Sequence, residues 1–135
     1  MIILHPVYYG RMRKSLLILL FFVSLGGVHK ASAQLDKHYF FYVGRSYIID
    51  NKFRDAIETL NVLLKVDEKA YEGYFLRGIA KYNLDDLLGA EDDFSTAIRL
   101  NPVYTQAYTY RAITRSRLGN YDDALQDFRE AIELR

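Results

Sequence analysis

The chain predicts an all-α fold, a solenoid of three stacked helical hairpins. Three observations predict it. Small and apolar residues recur at a step of 34 residues: Gly44, Gly78 and Ala112; Ala56, Ala90 and Ala124; Leu60, Phe94 and Phe128; Leu63, Ala97 and Ala131. Between these marks the apolar residues keep a three-four spacing, which gathers them on one helical face. Polar turn residues, Asp50-Asn51-Lys52 and Gly119-Asn120 among them, divide each unit in two. A period of this length marks supersecondary units that cannot bury their hydrophobic faces alone and stack to complete a core.

Composition bounds the rest. The 135 residues suffice for one modest domain. With 50% hydrophobic and 26% charged residues, the chain has the make-up of an ordered globular protein. The absence of Cys excludes disulfides, thiol catalysis, Cys-ligated metal and a lipidated cysteine. The net charge of +1 hides an asymmetry, since residues 1–33 hold Arg11, Arg13, Lys14 and Lys30 and no acid. Removing those four from the 18 basic residues leaves 14 against 17 acids, so residues 34–135 carry −3. That is a charge for solubility, and no nucleic-acid partner is expected.

Residues 1–33 read as a secretory leader. Arg11, Arg13 and Lys14 precede an apolar run, Ser15 to Val28, and Ala31-Ser32-Ala33 follows as an Ala-x-Ala site. The run falls short of the ~20 residues that cross a bilayer as a straight helix. Cleavage is expected after Ala33, with residues 34–36 as a short lead-in to the repeats. Met12 offers a start that places Met-Arg-Lys directly before the apolar run. The alternative is a retained anchor over 15–28, the one route to a membrane contact. In both cases the basic flank puts the repeats on the exported side, periplasmic or secreted.

The repeats follow over 37–70, 71–104 and 105–135. In the first, a helix over 37–49 leads through Asp50-Asn51-Lys52 to a second over 53–66, whose inward residues are Phe53, Ala56, Ile57, Leu60, Leu63 and Leu64. In the second, a helix over 70–83 leads through Leu84-Asp85-Asp86 to one over 87–100. Asp85 or Asp86 serves as its N-cap, accepting from free backbone N–H groups. Asn101-Pro102 ends that helix and starts the next, because Pro fits a first turn where its missing N–H is no loss. In the third, a helix over 103–118 stops at Gly119, which can take the positive φ of a helix end. The last helix starts with Asp122 and Asp123, whose carboxylates suit its N-terminal dipole, and runs to about residue 134.

These marks resemble the tetratricopeptide repeat. In that pattern an aromatic stands at position 4, here Phe40, Tyr74 and Tyr108; a large and a small residue stand at 7 and 8, here Val43-Gly44, Arg77-Gly78 and Arg111-Ala112. Positions 20, 24 and 27 are the sets given above, and Pro near 32 is Pro102. The resemblance covers residues 37–135 and implies a right-handed α-α superhelix. There are departures. Leu60, Leu63 and Glu68 replace the usual aromatic, Ala and Pro, as in a terminal repeat, and Arg77 and Arg111 replace a large apolar residue. No further polar helix covers the last hairpin, so its helix is expected to expose apolar surface, with a homo-oligomer through that helix or a longer chain as the consequence.

Chemistry is sparse. Residues 34–135 hold one His, His38, and Ser46, Ser95 and Ser116 have no nucleophile motif around them. The acid pairs Asp85-Asp86, Asp92-Asp93 and Asp122-Asp123 read as capping and solvation at helix starts and outer faces. No metal loop or glycine-rich phosphate loop is present, so no catalytic residue, metal or cofactor is expected. The resemblance implies instead a concave groove lined by the first helix of each hairpin. Its residues at the implied positions are Phe41, Arg45 and Ile48; Phe75, Ile79 and Tyr82; and Thr109, Ile113 and Arg117. Aromatic and Arg anchors suit a protein interface, so the expected partner is a peptide or helix of another protein. Relatives that hold the C-terminal carboxylate of cytosolic chaperones use Lys and Asn where this chain has Phe41 and Arg45, so that clamp is not reproduced.

Overall fold

The computed structural model describes the backbone of residues 27–135 and the side chains of residues 37–135. The leader expected over 1–33, with the alternative anchor over 15–28, falls mainly outside these residues. Among the described residues there are six helices and no strand: α1 Gly27–Ile49, α2 Phe53–Val66, α3 Tyr71–Asn83, α4 Leu87–Leu100, α5 Thr105–Leu118 and α6 Tyr121–Glu133. None of them is long and apolar enough to cross a membrane. Residues Lys37–Arg135 form one compact unit.

The three hairpins are α1–α2, α3–α4 and α5–α6. Helix α1 starts at Gly27, ahead of the expected Lys37, because residues 28–36 contain no proline or glycine to stop it. The turn inside each hairpin repeats one device. Asn51, Asp85 and Gly119, each 34 residues apart, have φ of 58°, 67° and 84°. Only Gly takes this left-handed backbone freely, and Asn and Asp are the side chains that tolerate it best. Asp86 rather than Asp85 caps α4, accepting from the Gly89 N–H at 3.0 Å. Pro102 corrects an expectation: it lies in the turn, and α5 begins only at Thr105. A residue before proline is driven towards extended backbone, and Asn101 is extended at φ −139°, which separates the two helices.

The core lies between successive helices. One cluster gathers Ala56, Leu60, Leu63 and Ala80, with Phe40, Phe41 and Ile48 packed against it. A second gathers Phe75, Ala90, Phe94, Ala97, Ile98 and Ala107. The small residues set the approach distance. A Cβ added to Gly78 would lie 2.6 Å from the Phe94 ring, and one added to Gly44 would lie 2.8 Å from Leu60.

From α2 onward each helix packs on the next, α1 meets α2 where Gly44 faces Leu60, and α3 also touches α5. No matching contact joins α2 to α4 or α4 to α6. Helices α3 and α5 therefore lie closer together than α2 and α4 or α4 and α6, so the second and third hairpins close on their first-helix side. That side is the inner face of residues 37–135.

Tyr104 sits at a junction of this stack, its ring 5.0 Å from Phe75 and 5.1 Å from Tyr71. Burial, with Glu72 adding to it, pushes its hydroxyl up to about 12. The folded chain thus keeps this proton after the unfolded chain has lost it. The stabilisation is complete below about pH 10 and disappears as pH rises to about 12. The ring is half-buried, so solvent screening reduces the effect to roughly 1–2 kcal/mol. Urea melts at about pH 9 and about pH 11 should show this alkaline loss in the native chain and a smaller one in Tyr104→Phe; equal losses would disprove it.

Candidate functional site

The inner face is built from α1, α3 and α5. Phe41 and Ile48 are half-buried on α1, leaning on the first core cluster, while Arg45 between them is exposed. Ile79 and Tyr82 are half-buried on α3 against the second cluster. On α5, Thr109 is half-buried and donates its hydroxyl back to the Thr105 carbonyl at 3.2 Å, and Ile113 is 36% exposed. Phe75 is the exception among the expected groove residues. Only 8% of it is exposed. Its ring packs 5.4 Å from Tyr110 and 5.8 Å from Phe94, so it belongs to the core. The reason is the contact of α5 with α3, which sets the Tyr104 and Tyr110 rings over Phe75.

Arg117 is also placed differently from a free anchor. Its guanidinium stacks 4.8 Å from the Tyr82 ring and bonds Asp85 at 2.6 Å. It ties α5 to the end of α3, which leaves Arg45 as the exposed cation of this face without an ion pair among the described residues. At the α1 end, Phe41 opens into a cleft of about 420 Å³ bounded by Tyr42, Leu63, Ala70 and Tyr71. Lys37 and Asp67, paired at 2.6 Å, stand on its rim. The Lys37 ammonium holds the Asp67 carboxyl below its ordinary value.

The polar centre of the molecule lies elsewhere and was not seen in the sequence. Arg77 grips Asp93 with two bonds, 2.8 and 2.6 Å, and gives a third to Asn61 of the preceding hairpin at 2.7 Å. Lys81 closes on the same carboxylate at 2.9 Å. One repeat later Arg111 grips Asp127 at 2.9 and 2.7 Å and reaches Ser95 at 3.1 Å, with Arg115 at 3.0 Å from Asp127 and 2.6 Å from Glu91. Asp93 is therefore not a solvated outer residue: it is 1% exposed, and the guanidinium pKa of Arg77 is raised by its bond to it. The signal was available, since 77 and 111, 81 and 115, and 93 and 127 all step by 34. Among the described residues no group of three or more His, Asp or Glu side chains converges as a metal site. Every buried side-chain polar atom described has a hydrogen-bond partner.

A stack of helical hairpins with small-residue seams and an inner face of first helices defines a class, the helical-repeat scaffolds. Within it the chain belongs to the tetratricopeptide repeat family, whose profiles match residues 44–103 and 105–135. It is 35% identical over 60 residues to an uncharacterised protein of Methanocaldococcus jannaschii, covering 44% of this chain and 70% of that one. It is 27% identical over 95 residues to the DnaJ homolog subfamily C member 7 homolog of Dictyostelium discoideum, covering 67% of this chain. It spans only 18% of that relative's own length. Among solved structures, MamA is similar at 27% identity and a TM-score of 0.72, over 73% of this chain and 58% of MamA. The first TPR of Spaghetti (RPAP3), bound to the HSP90 peptide SRMEEVD, is similar at 26% identity and a TM-score of 0.72, over 74% of this chain and 79% of that one.

Proposed function

We propose that the inner face of α1, α3 and α5 binds a peptide or helix of another protein, and that the chain acts as a scaffold without chemistry of its own. The close approach of α3 and α5 carries this reading: Ile79 and Ile113 hold one register position on that first-helix side, Arg45 holds the same position on α1, and Phe41 and Ile48 flank it, half-buried. Apolar floor and exposed Arg are the anchors that protein interfaces favour. The similar Spaghetti domain holds a peptide, which supports the same class of partner here. The leader-like order of residues 11–33 supports a setting on the exported side of a membrane.

Screening a peptide display library against the full chain supplies binders to test. Arg45→Glu combined with Ile113→Asp changes two exposed positions and leaves the core intact. Affinity for peptides selected on the native chain should fall at least about tenfold, a change of ~1.4 kcal/mol, with helicity and Tm unchanged. Unaltered affinity would remove the inner face from the reaction.

A second reading, self-association, rests on one register position. Leu64 and Ile98 are 6% and 9% exposed because the following hairpin covers them, whereas their equivalent on α6, Ile132, is 69% exposed. Leu125 on the same helix is also exposed. If this surface joins two copies, light scattering will show a mass that rises with concentration and that Ile132→Lys returns to the monomer value. A constant monomer mass in the native chain rules it out.

A further inference from the structure

The cleft beside Phe41 has a template inside the same molecule. Ala70 and Tyr104 are equivalent residues, 34 apart, and both cap the N-terminus of a first helix with nearly the same backbone, φ −70°, ψ 81° and φ −81°, ψ 84°. At Tyr104 an aromatic ring fills the junction between hairpins, with Phe75 and Tyr71 edge-to-face against it at 71° and 74°. At Ala70 the same junction receives only a methyl group. What remains is the cleft of about 420 Å³, and its wall, Phe41, is the residue equivalent to Phe75.

We propose that this cleft is an anchor pocket for one aromatic side chain of a partner segment, which takes the place that Tyr104 fills one hairpin later. The inference rests on the reading of the inner face as a peptide-binding surface and names the side chain that it selects. Three of the walls are rings, Phe41, Tyr42 and Tyr71. Ring walls favour an aromatic guest over an aliphatic one of similar size, because edge-to-face pairs add to the area that is buried. The native chain shows one such pair at the equivalent junction, Tyr104 edge-to-face on Phe75, the counterpart of Phe41.

The probe is p-cresol, the side chain of tyrosine, titrated into the full chain while the Ala70 methyl and Phe41 ring signals are followed by NMR. Saturable shifts at both residues are expected, with binding at least about fivefold tighter than for 3-methylbutan-1-ol. Ala70→Tyr fills the cleft from within and should weaken p-cresol at least about tenfold while the helical spectrum is kept. Ala70→Leu, which narrows the cleft with less bulk, should weaken it as well and carries the test if Ala70→Tyr does not fold. Absence of saturable shifts, no preference for the aromatic probe, or undiminished binding in folded variants each overturns the pocket. Peptides that survive Ala70→Tyr but are lost in Arg45→Glu/Ile113→Asp would leave the inner-face reading standing and remove the anchor. Saturable p-cresol binding with peptides indifferent to the inner-face variant would do the reverse.

Discussion

Phe94→Ala should lower the stability of the repeat unit by about 3–5 kcal/mol, the range of core Phe truncations. Phe94 is fully buried, and its ring packs 5.8 Å from Phe75 and 5.9 Å from Tyr110. Gly78, which faces the ring, has no side chain to move into the cavity. The loss is a large part of the ~5–15 kcal/mol that holds a domain of this size. Tm should fall by at least about 12 °C, at roughly 4 °C or more per kcal/mol. In a stacked repeat each hairpin is held by its neighbours, so damage to the middle one should also blunt the cooperativity of the melt. Phe128→Ala provides the internal control. Phe128 holds the same position in the third hairpin but is only half-buried, so its removal should cost less than half as much. Equal losses for the two variants would show that the covering hairpin adds nothing, and the stacking argument would fall.

Arg77→Met should cost about 3 kcal/mol, for a different reason. The Asp93 carboxylate is 1% exposed, and without Arg77 it keeps only Lys81. An uncompensated buried charge is far more costly than a missing contact. Removing the carboxylate as well, in Arg77→Met with Asp93→Leu, should restore most of the loss, because a pair replaced by apolar groups of similar size is close to neutral. Chemical unfolding of the two single variants and the double variant forms a cycle, with an expected coupling of at least about 2 kcal/mol. Additivity within about 0.5 kcal/mol would show that the pair is not a unit. Arg77→Lys would not substitute, since one ammonium cannot grip both carboxylate oxygens and also reach Asn61.

The sequence was most legible where one residue type does one local job. The period, the apolar faces of α2, α4 and α6, and the turns at 50–52, 84–86 and 119–120 follow from side chains three, four or 34 positions apart. Helix ends were displaced only where turn chemistry competes, as at Pro102. The inner face was less legible. Register assigns Phe75 and Ile79 alike to the first-helix side, but only the packing of Tyr104 and Tyr110 decides that Phe75 is closed over and Ile79 is not. The Arg–Asp ladder was visible as a period of charges. Charges on a helix usually face water, however, and nothing local distinguishes a buried Asp93 from an exposed Asp92.

Sequence alone determined that residues 37–135 form three hairpins of one kind, because helix period, turn residues and small-residue seams are written in short-range spacing. Tertiary structure decided which of the equivalent positions differ in effect. Ala70 leaves a cleft where Tyr104 fills one, Ile132 is bare where Leu64 and Ile98 are covered, and Asp93 is enclosed where a surface acid was expected. Each of these depends on what the neighbouring hairpin places against the residue, and that contact lies between elements rather than within any one of them.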